Sequence, residues 1–304
     1  MTDAYLREIA EDIYAYIQPD GSWYLNNTGF LAGRRGVIAI DASSTQRRTG
    51  ALLDAIASVS SRPIRTLVNT HHHGDHTYGN YLFENATIVG HERTRTEVQA
   101  FGLRGSASGI WEEIEWGNLE LAPPFLTYST GVTLWSDDLR ADVRYVGMPA
   151  HTTNDSIIHI AEKSVLFCGD LMFNGGTPFF LMGSLSGSIK VLQDVIRPLG
   201  ARTIVPGHGP VCGPELIDDV LGYLAFVTEL AREGKAAALS PLEAARQADL
   251  GAYAAWTDTE RLVGNLHRAY LELSGGEPGA PLDVTGALRD MVAYNGGKPL
   301  TCHA

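Results

Sequence analysis

Residues 69–76 read Asn69-Thr70-His71-His72-His73-Gly74-Asp75-His76, directly after the short apolar stretch Ile64-Arg65-Thr66-Leu67-Val68. An apolar run that stops abruptly in a polar loop predicts a strand whose end releases several side chains into one place. His71, His73 and His76 bring imidazoles there and Asp75 brings a carboxylate. Neutral imidazole nitrogen and carboxylate oxygen suit zinc at about 2.0 to 2.2 Å, and crowding them together without a cation would desolvate polar groups for no return. The loop is therefore the nucleus of a predicted metal site. In an extended loop His72 points away from its neighbours, which predicts a solvent-facing or supporting role instead of ligation.

Outward from this loop, residues 13–17, 29–32 and 37–40 read as strands of an antiparallel meander, punctuated by Pro19-Asp20-Gly21 and Gly33-Arg34-Arg35-Gly36. Residues 45–58 carry apolar side chains at helical spacing, and residues 91–101 read as another helix. Strands are expected at 64–68, 86–89, 132–134, 143–146, 156–160 and 165–168, the last two forming a hairpin about Glu162-Lys163. After Pro214 the pattern turns helical, over residues 215–233, 241–249, 259–273 and 284–294. Residues 106–128 show weak periodicity and predict a long surface excursion.

Composition narrows the function. The 304-residue chain has a formal net charge of -12 and no basic cluster, which argues against nucleic acid as a partner. No stretch reaches the roughly 20 apolar residues of a spanning helix, and the first residues lack the basic-then-apolar order of an export signal, so no membrane association and a cytoplasmic location are expected. Cys168, Cys212 and Cys302 are an odd, scattered set, which predicts thiols and not a disulfide framework.

The pattern His71-x-His73-x-Asp75-His76 resembles the signature of the metallo-β-lactamase superfamily. That family also places a distant His, a Gly-Asp pair after a strand and a final His in a Gly-rich loop, in that order. Pro149-Ala150-His151-Thr152, Phe167-Cys168-Gly169-Asp170 and Val205-Pro206-Gly207-His208-Gly209 match them in turn, so the resemblance covers roughly residues 10–215. It implies an α/β fold, the αββα metallo-β-lactamase sandwich, with a catalytic domain over residues 1–213 and a helical C-terminal extension over 214–304 packed on it. It further implies two zinc ions, one held by His71, His73 and His151, the other by Asp75, His76 and His208, with Asp170 bridging. Asp75 would also orient the attacking water or receive its proton. Cys168 lies two positions before Asp170 and competes for the second metal, but the Gly169-Asp170 pair favours the carboxylate and leaves Cys168 a packed strand residue.

For the substrate, Trp111, Trp116, Phe125, Tyr128, Phe173 and Phe179 are candidates to wall a broad apolar pocket, the alternative being that they anchor two long loops. The stretches NTHHHGDHTYGN (69–80), PPFLTY (123–128), TTND (152–155) and GSLSGS (183–188) resemble the metallo-β-lactamase-fold cyclases of bacterial type II aromatic polyketide pathways. This resemblance implies aldol ring closure of a poly-β-ketone, a substrate tethered to an acyl carrier protein, and release of the thioester. The alternative is a stand-alone zinc hydrolase of thioesters, esters or lactones. Quorum-quenching lactonases carry a Tyr shortly after the bridging Asp, where this chain has Leu171, Met172 and Phe173, and the basic glutathione-binding residues of glyoxalase II-like enzymes find no match here. The expected partner is a small-molecule substrate, with homodimerisation left open.

Overall fold

The computed structural model of the chain describes residues 3–107 and 109–304; Ser108, inside the predicted excursion, lies outside the described residues. Among the described residues the strands form a seven-stranded and a five-stranded sheet. The first sheet runs in chain order through β1 (Tyr5–Ala10), β2 (Ile13–Ile17), β3 (Thr28–Gly33), β4 (Gly36–Ile40), β5 (Ile64–Val68), β6 (Thr87–His91) and β7 (Leu126–Tyr128). Its pairing is antiparallel as far as β4 and parallel from β4 to β7. The second sheet contains β8 (Gly131–Ser136), β9 (Leu139–Tyr145), β10 (Ser156–Ile160) and β11 (Val165–Phe167), with β12 (Thr203–Val205) parallel to β11 at its edge.

The layering follows from alternation along the strands. Ile38 and Ile40 of β4 face the second sheet and share a core with Ile13, Leu31, Val143, Ile158, Val165 and Phe167. Val37 and Ala39, one position out of phase, face the other way onto Leu52 and Ile56 of α1 (Gln46–Val59). Both faces of β4 are buried, which is why Gly36–Ile40 reads as a continuous apolar run. Ile157 and Leu166 leave the far face of the second sheet and meet Val220, Leu224 and Val227. The result is the αββα sandwich.

Short helices serve the site: α2 (Gly74–Thr77), α3 (Glu92–Phe101) and α4 (Leu185–Lys190). The C-terminal region folds as α5 (Glu215–Ala236), α6 (Pro241–Gln247), α7 (Arg261–Leu273) and α8 (Val284–Tyr294). Their apolar faces join the same buried cluster as the outer face of the second sheet and the segment Phe179, Phe180 and Leu181. Helix starts follow capping chemistry. Thr45 accepts from Arg48 N at 3.2 Å, and Ser240 with Glu243 forms a capping box ahead of α6.

The expected strands and helices occur within a few residues of their predicted bounds, but β1, β7, β12, α2 and α4 were not foreseen; α2 and β12 are only four and three residues long. β1, with the charged sequence YLREIA, is a largely exposed edge strand, so its burial never had to select an apolar alternation. β7 is three residues long and falls inside the predicted excursion. α4 begins within a glycine- and serine-rich stretch that carries no apolar period, and its N-cap is Ser184.

Candidate metal centre

The parallel strands β4 and β5 end side by side, with Ile40 opposite Val68, so Asp41 and Asn69 leave the sheet together. Asp41 takes a positive φ of 58° and turns its carboxylate under the loop. Its oxygens accept from Thr70 N at 2.8 Å and Thr70 Oγ1 at 2.7 Å, and Oδ2 lies 2.8 Å from His76 Nδ1. The same carboxylate thus shapes the His71–His76 turn and orients one of its imidazoles.

The remaining members come from the second sheet and its loops. His151 follows β9 in a loop fixed by Asp155, which accepts from Thr152 N at 2.8 Å and Thr152 Oγ1 at 2.7 Å. Asp170 follows β11, and His208 follows β12. A Cβ at Gly207 would overlap Asp170 Oδ1, so only glycine lets the two loops approach this closely.

Two groups of buried or half-buried potential ligands result: His71, His73, His151 and Asp170, and Asp75, His76, Asp170 and His208, with the ligand atoms of each group within 4.8 Å of one another. Asp170 is shared. One of its oxygens is 3.0 Å from His76 Nε2, and the other is 3.4 Å from both His151 Nε2 and His208 Nε2 and 3.8 Å from His71 Nε2. His73 Nδ1 faces His151 Nε2 at 2.8 Å, and Asp75 Oδ2 lies 3.1 Å from His208 Nε2.

The back nitrogens of the rings are held in place. His71 Nδ1 meets Thr70 Oγ1 at 3.0 Å, His208 Nδ1 meets Gly21 O at 3.0 Å, and His151 Nδ1 meets Phe179 O. Pinning one imidazole nitrogen in this way aims the other at the centre, as supporting contacts do at metal sites. The inward atom His71 Nε2 is buried without a hydrogen bond, and His76 Nε2 and Asp170 Oδ1 face each other at 3.0 Å as an ion pair without a well-aligned hydrogen bond. Such atoms are costly unless something satisfies them. A divalent cation fits that need, and the imidazole and carboxylate donor set suits zinc.

The charges agree. Burial, reinforced by neighbouring imidazoles, holds His71 and His73 well below the usual histidine range. Burial also opposes a proton on His208 and His76, but Asp170 outweighs it: with Asp75 it pushes His208 up to about 9, and with Asp41 and Asp75 it raises His76 well above the ordinary value. Against its own burial, Asp170 is held well below the carboxylate range by His208, His76 and His151.

All seven residues predicted as ligands are brought into these two groups. His72 belongs to neither: it is buried and not solvent-facing, its Nδ1 lies 3.0 Å from Asn154 Nδ2, and burial lowers it to about 3. Cys168 points into the core beneath α5, with its Sγ on Val205 O at 3.4 Å, and burial pushes the thiol up.

The centre forms the floor of a cleft of about 490 Å³. Of the predicted pocket residues, Trp111, Phe173 and Phe179 line it. Three do not. Trp116 stands behind the wall, edge-on to Tyr24 at 5.0 Å and Tyr78 at 5.8 Å. Phe125 is 84% exposed at the entry to edge strand β7, and the alternation of that strand sends Tyr128 into the core between the sheets. Sequence reading also missed Trp23 and Tyr24 in the loop after β2, Phe101 at the end of α3, and Arg261, Leu282 and Leu288 from the C-terminal region, all on the cleft wall.

A two-sheet sandwich with histidines and carboxylates gathered at the strand ends defines a metal-binding α/β class, and residues 21–208 match the family described as Metallo-beta-lactamase superfamily. The chain belongs to that superfamily. It is 30% identical to the hydroxyacylglutathione hydrolase of Rhodospirillum rubrum over 155 residues, 50% of this chain and 48% of that protein. It is 23% identical to the acyl-coenzyme A thioesterase MBLAC2 of Bos taurus, over 55% of this chain and 64% of that protein. The match thus spans about half to two thirds of these relatives, whose names are those of thioester hydrolases and not of polyketide cyclases. A metallo-beta-lactamase from Pontibacter korlensis shares the fold, with a TM-score of 0.61 at 17% identity over 73% of this chain and 99% of that one. No helix among the described residues is long and apolar enough to cross a membrane.

Proposed function

We propose that the chain is a zinc-dependent hydrolase of thioesters. His71, His73 and His151 would hold one cation, Asp75, His76 and His208 the other, and Asp170 both. The observation that carries this reading is the sharing of Asp170 between two four-residue groups, at the floor of a cleft wide enough for a substrate. The names of the curated relatives support a thioester as the bond attacked.

Bound cations would supply Lewis-acid chemistry, polarising a carbonyl oxygen and making water a competent nucleophile near neutral pH. The protein does the rest. Trp23, Trp111 and Phe179 pack edge-to-face at 5.4 and 5.2 Å into a rigid apolar wall that excludes water from one side of the centre and seats the acyl group. Asp75 sits at the cleft surface, where its carboxylate would orient the attacking water and accept its proton.

The second reading, ring closure of a poly-β-ketone thioester delivered by an acyl carrier protein, draws on the same aromatic cleft. One experiment separates them. The zinc-loaded protein is given acyl thioesters and a linear poly-β-ketone thioester, and products are followed by thiol release and mass. Hydrolysis gives free thiol and open-chain acid, abolished by chelation and restored by zinc. A cyclic product formed without free thiol would overturn the hydrolase in favour of the cyclase, and no turnover of any thioester with zinc present would overturn both.

A further inference from the structure

Arg261, the first residue of α7, is 1% exposed, yet it borders the cleft. A buried arginine needs partners, and its partners here all lead to the metal centre. Nη2 pairs with Asp258 Oδ2 at 2.8 Å and Nη1 donates to Thr177 O at 3.0 Å, on the segment that follows Asp170. The guanidinium carbon lies 4.1 Å from the centre of the Trp23 ring and 5.1 Å from that of Phe173, a cation wedged between two aromatic side chains. Phe173 in turn lies flat on His208, with ring centres 4.9 Å apart and planes within 6°.

The backbone reinforces this stack. Thr257 bridges Gly176, Thr177 N donates to Thr257 O at 2.9 Å, and Trp23 Nε1 donates to Glu260 Oε1 at 2.7 Å. The start of α7 is thereby stitched both to the loop carrying Phe173 and to the loop carrying Trp23. Gly21 O, at the head of that second loop, also holds His208 Nδ1. The imidazole of His208 is fixed along its edge by Gly21 and across its face by Phe173, and Arg261 bears on the side chains flanking both.

We propose that Arg261 is a positioning residue for the metal centre: by clamping Phe173 onto His208 it makes the cation position of Asp75, His76, Asp170 and His208 depend on the C-terminal helices. This rests on the two-metal reading above. The residues that hold Arg261, namely Asp258, Thr177, Trp23 and Phe173, are none of them candidate ligands, and its effect is on the geometry of one ligand. Arg268, two turns further along α7, is the natural comparison. It is similarly buried, but its hydrogen bonds go to Leu181 O and Ala280 O and not to the segment carrying Phe173.

The test uses the full chain, stripped of metal and titrated with zinc against a chromophoric chelator. Wild type is compared with R261M, F173L, H208A, the double variant R261M/H208A and R268M. Wild type is expected to take up two equivalents, and R261M and F173L to bind one of them about 10-fold or more weakly, the scale of losing a group that orients a metal ligand. R261M added to H208A is expected to cost nothing more, because both act on the same position. R268M is expected to lower Tm while keeping both equivalents. A folded R261M that binds both equivalents as wild type does would overturn the proposal. If R261M does not fold, F173L decides in the same way, since it removes the stack with Arg261 in place. A wild type that binds no zinc would instead overturn the metal reading itself.

Discussion

The carboxylate of Asp41 lies 2.8 Å from Nδ1 of His76, while two further bonds from Thr70 tie it to the loop that carries the ligands. One side chain at the end of β4 therefore sets the direction of an imidazole from the end of β5. The Asp41→Asn variant keeps the size but loses the charge and one of two acceptor oxygens, so the one oxygen left cannot serve both Thr70 N and His76 Nδ1. Zinc affinity is expected to fall about 10- to 100-fold. Chelator competition measures it, and an unchanged affinity would show that His76 is oriented by other contacts.

Asp170 belongs to both groups of potential ligands, so in the proposed centre its loss acts on both at once. Asp170→Asn replaces the shared carboxylate by an amide, whose nitrogen does not bind a cation. Fewer than two zinc equivalents and a fall of at least about 100-fold in thioester turnover are expected, since losing a shared ligand should cost no less than losing a group that only supports one. Metal analysis after dialysis and a thiol-release assay read the two effects separately. Two retained equivalents would remove Asp170 from the centre.

The local half of this centre was legible because His71, His73, Asp75 and His76 are neighbours in sequence, and the distant half because His151, Asp170 and His208 each carry a recognisable flank in a fixed order. Asp41 had no such flank. Its role exists only because β4 and β5 are parallel neighbours that end at the same level, and an Asp after an apolar run was the one available hint. Phe125 and Tyr128 were misread for a related reason. Aromatic composition does not reveal that β7 is an edge strand, nor which of its faces looks inward. The C-terminal wall of the cleft was invisible because Arg261 reaches Trp23 and Phe173 only through tertiary packing.

The carboxylates that raise His208 to about 9 leave it protonated at neutral pH when no cation is bound. In the proposed centre His208 would meet its cation as the neutral imidazole, so binding would expel that proton. Proton release on zinc binding at pH 7 is expected, with affinity rising as pH climbs toward about 9. Calorimetry in buffers of different ionisation enthalpy counts the protons. The sign reverses for the metal-free fold: the His208 contribution to stability is fully present below its ordinary pKa of 6.5 and is lost as pH rises through about 9. Zinc uptake with no buffer dependence would contradict both.

The outer face of the second sheet tests whether the C-terminal region is an appendage or a structural layer. Ile157, Leu166 and Ile204 are each at most 1% exposed and pack in one cluster with Val220, Leu224, Val227, Leu262 and Leu266 from the helices. Removing residues 214–304 would open that face to water, along with the wall that Leu282 and Leu288 give the cleft. A chain ending at residue 213 is expected to aggregate or to bind a hydrophobic dye, without a cooperative melt. The graded version is Leu224→Ala in the full chain, which leaves a cavity under the sheet and is expected to cost about 2 to 5 kcal/mol. Denaturant unfolding measures that loss. A truncated chain that melts cooperatively and still takes up zinc would mean that the sandwich closes its own core, and that α5 to α8 serve the cleft alone.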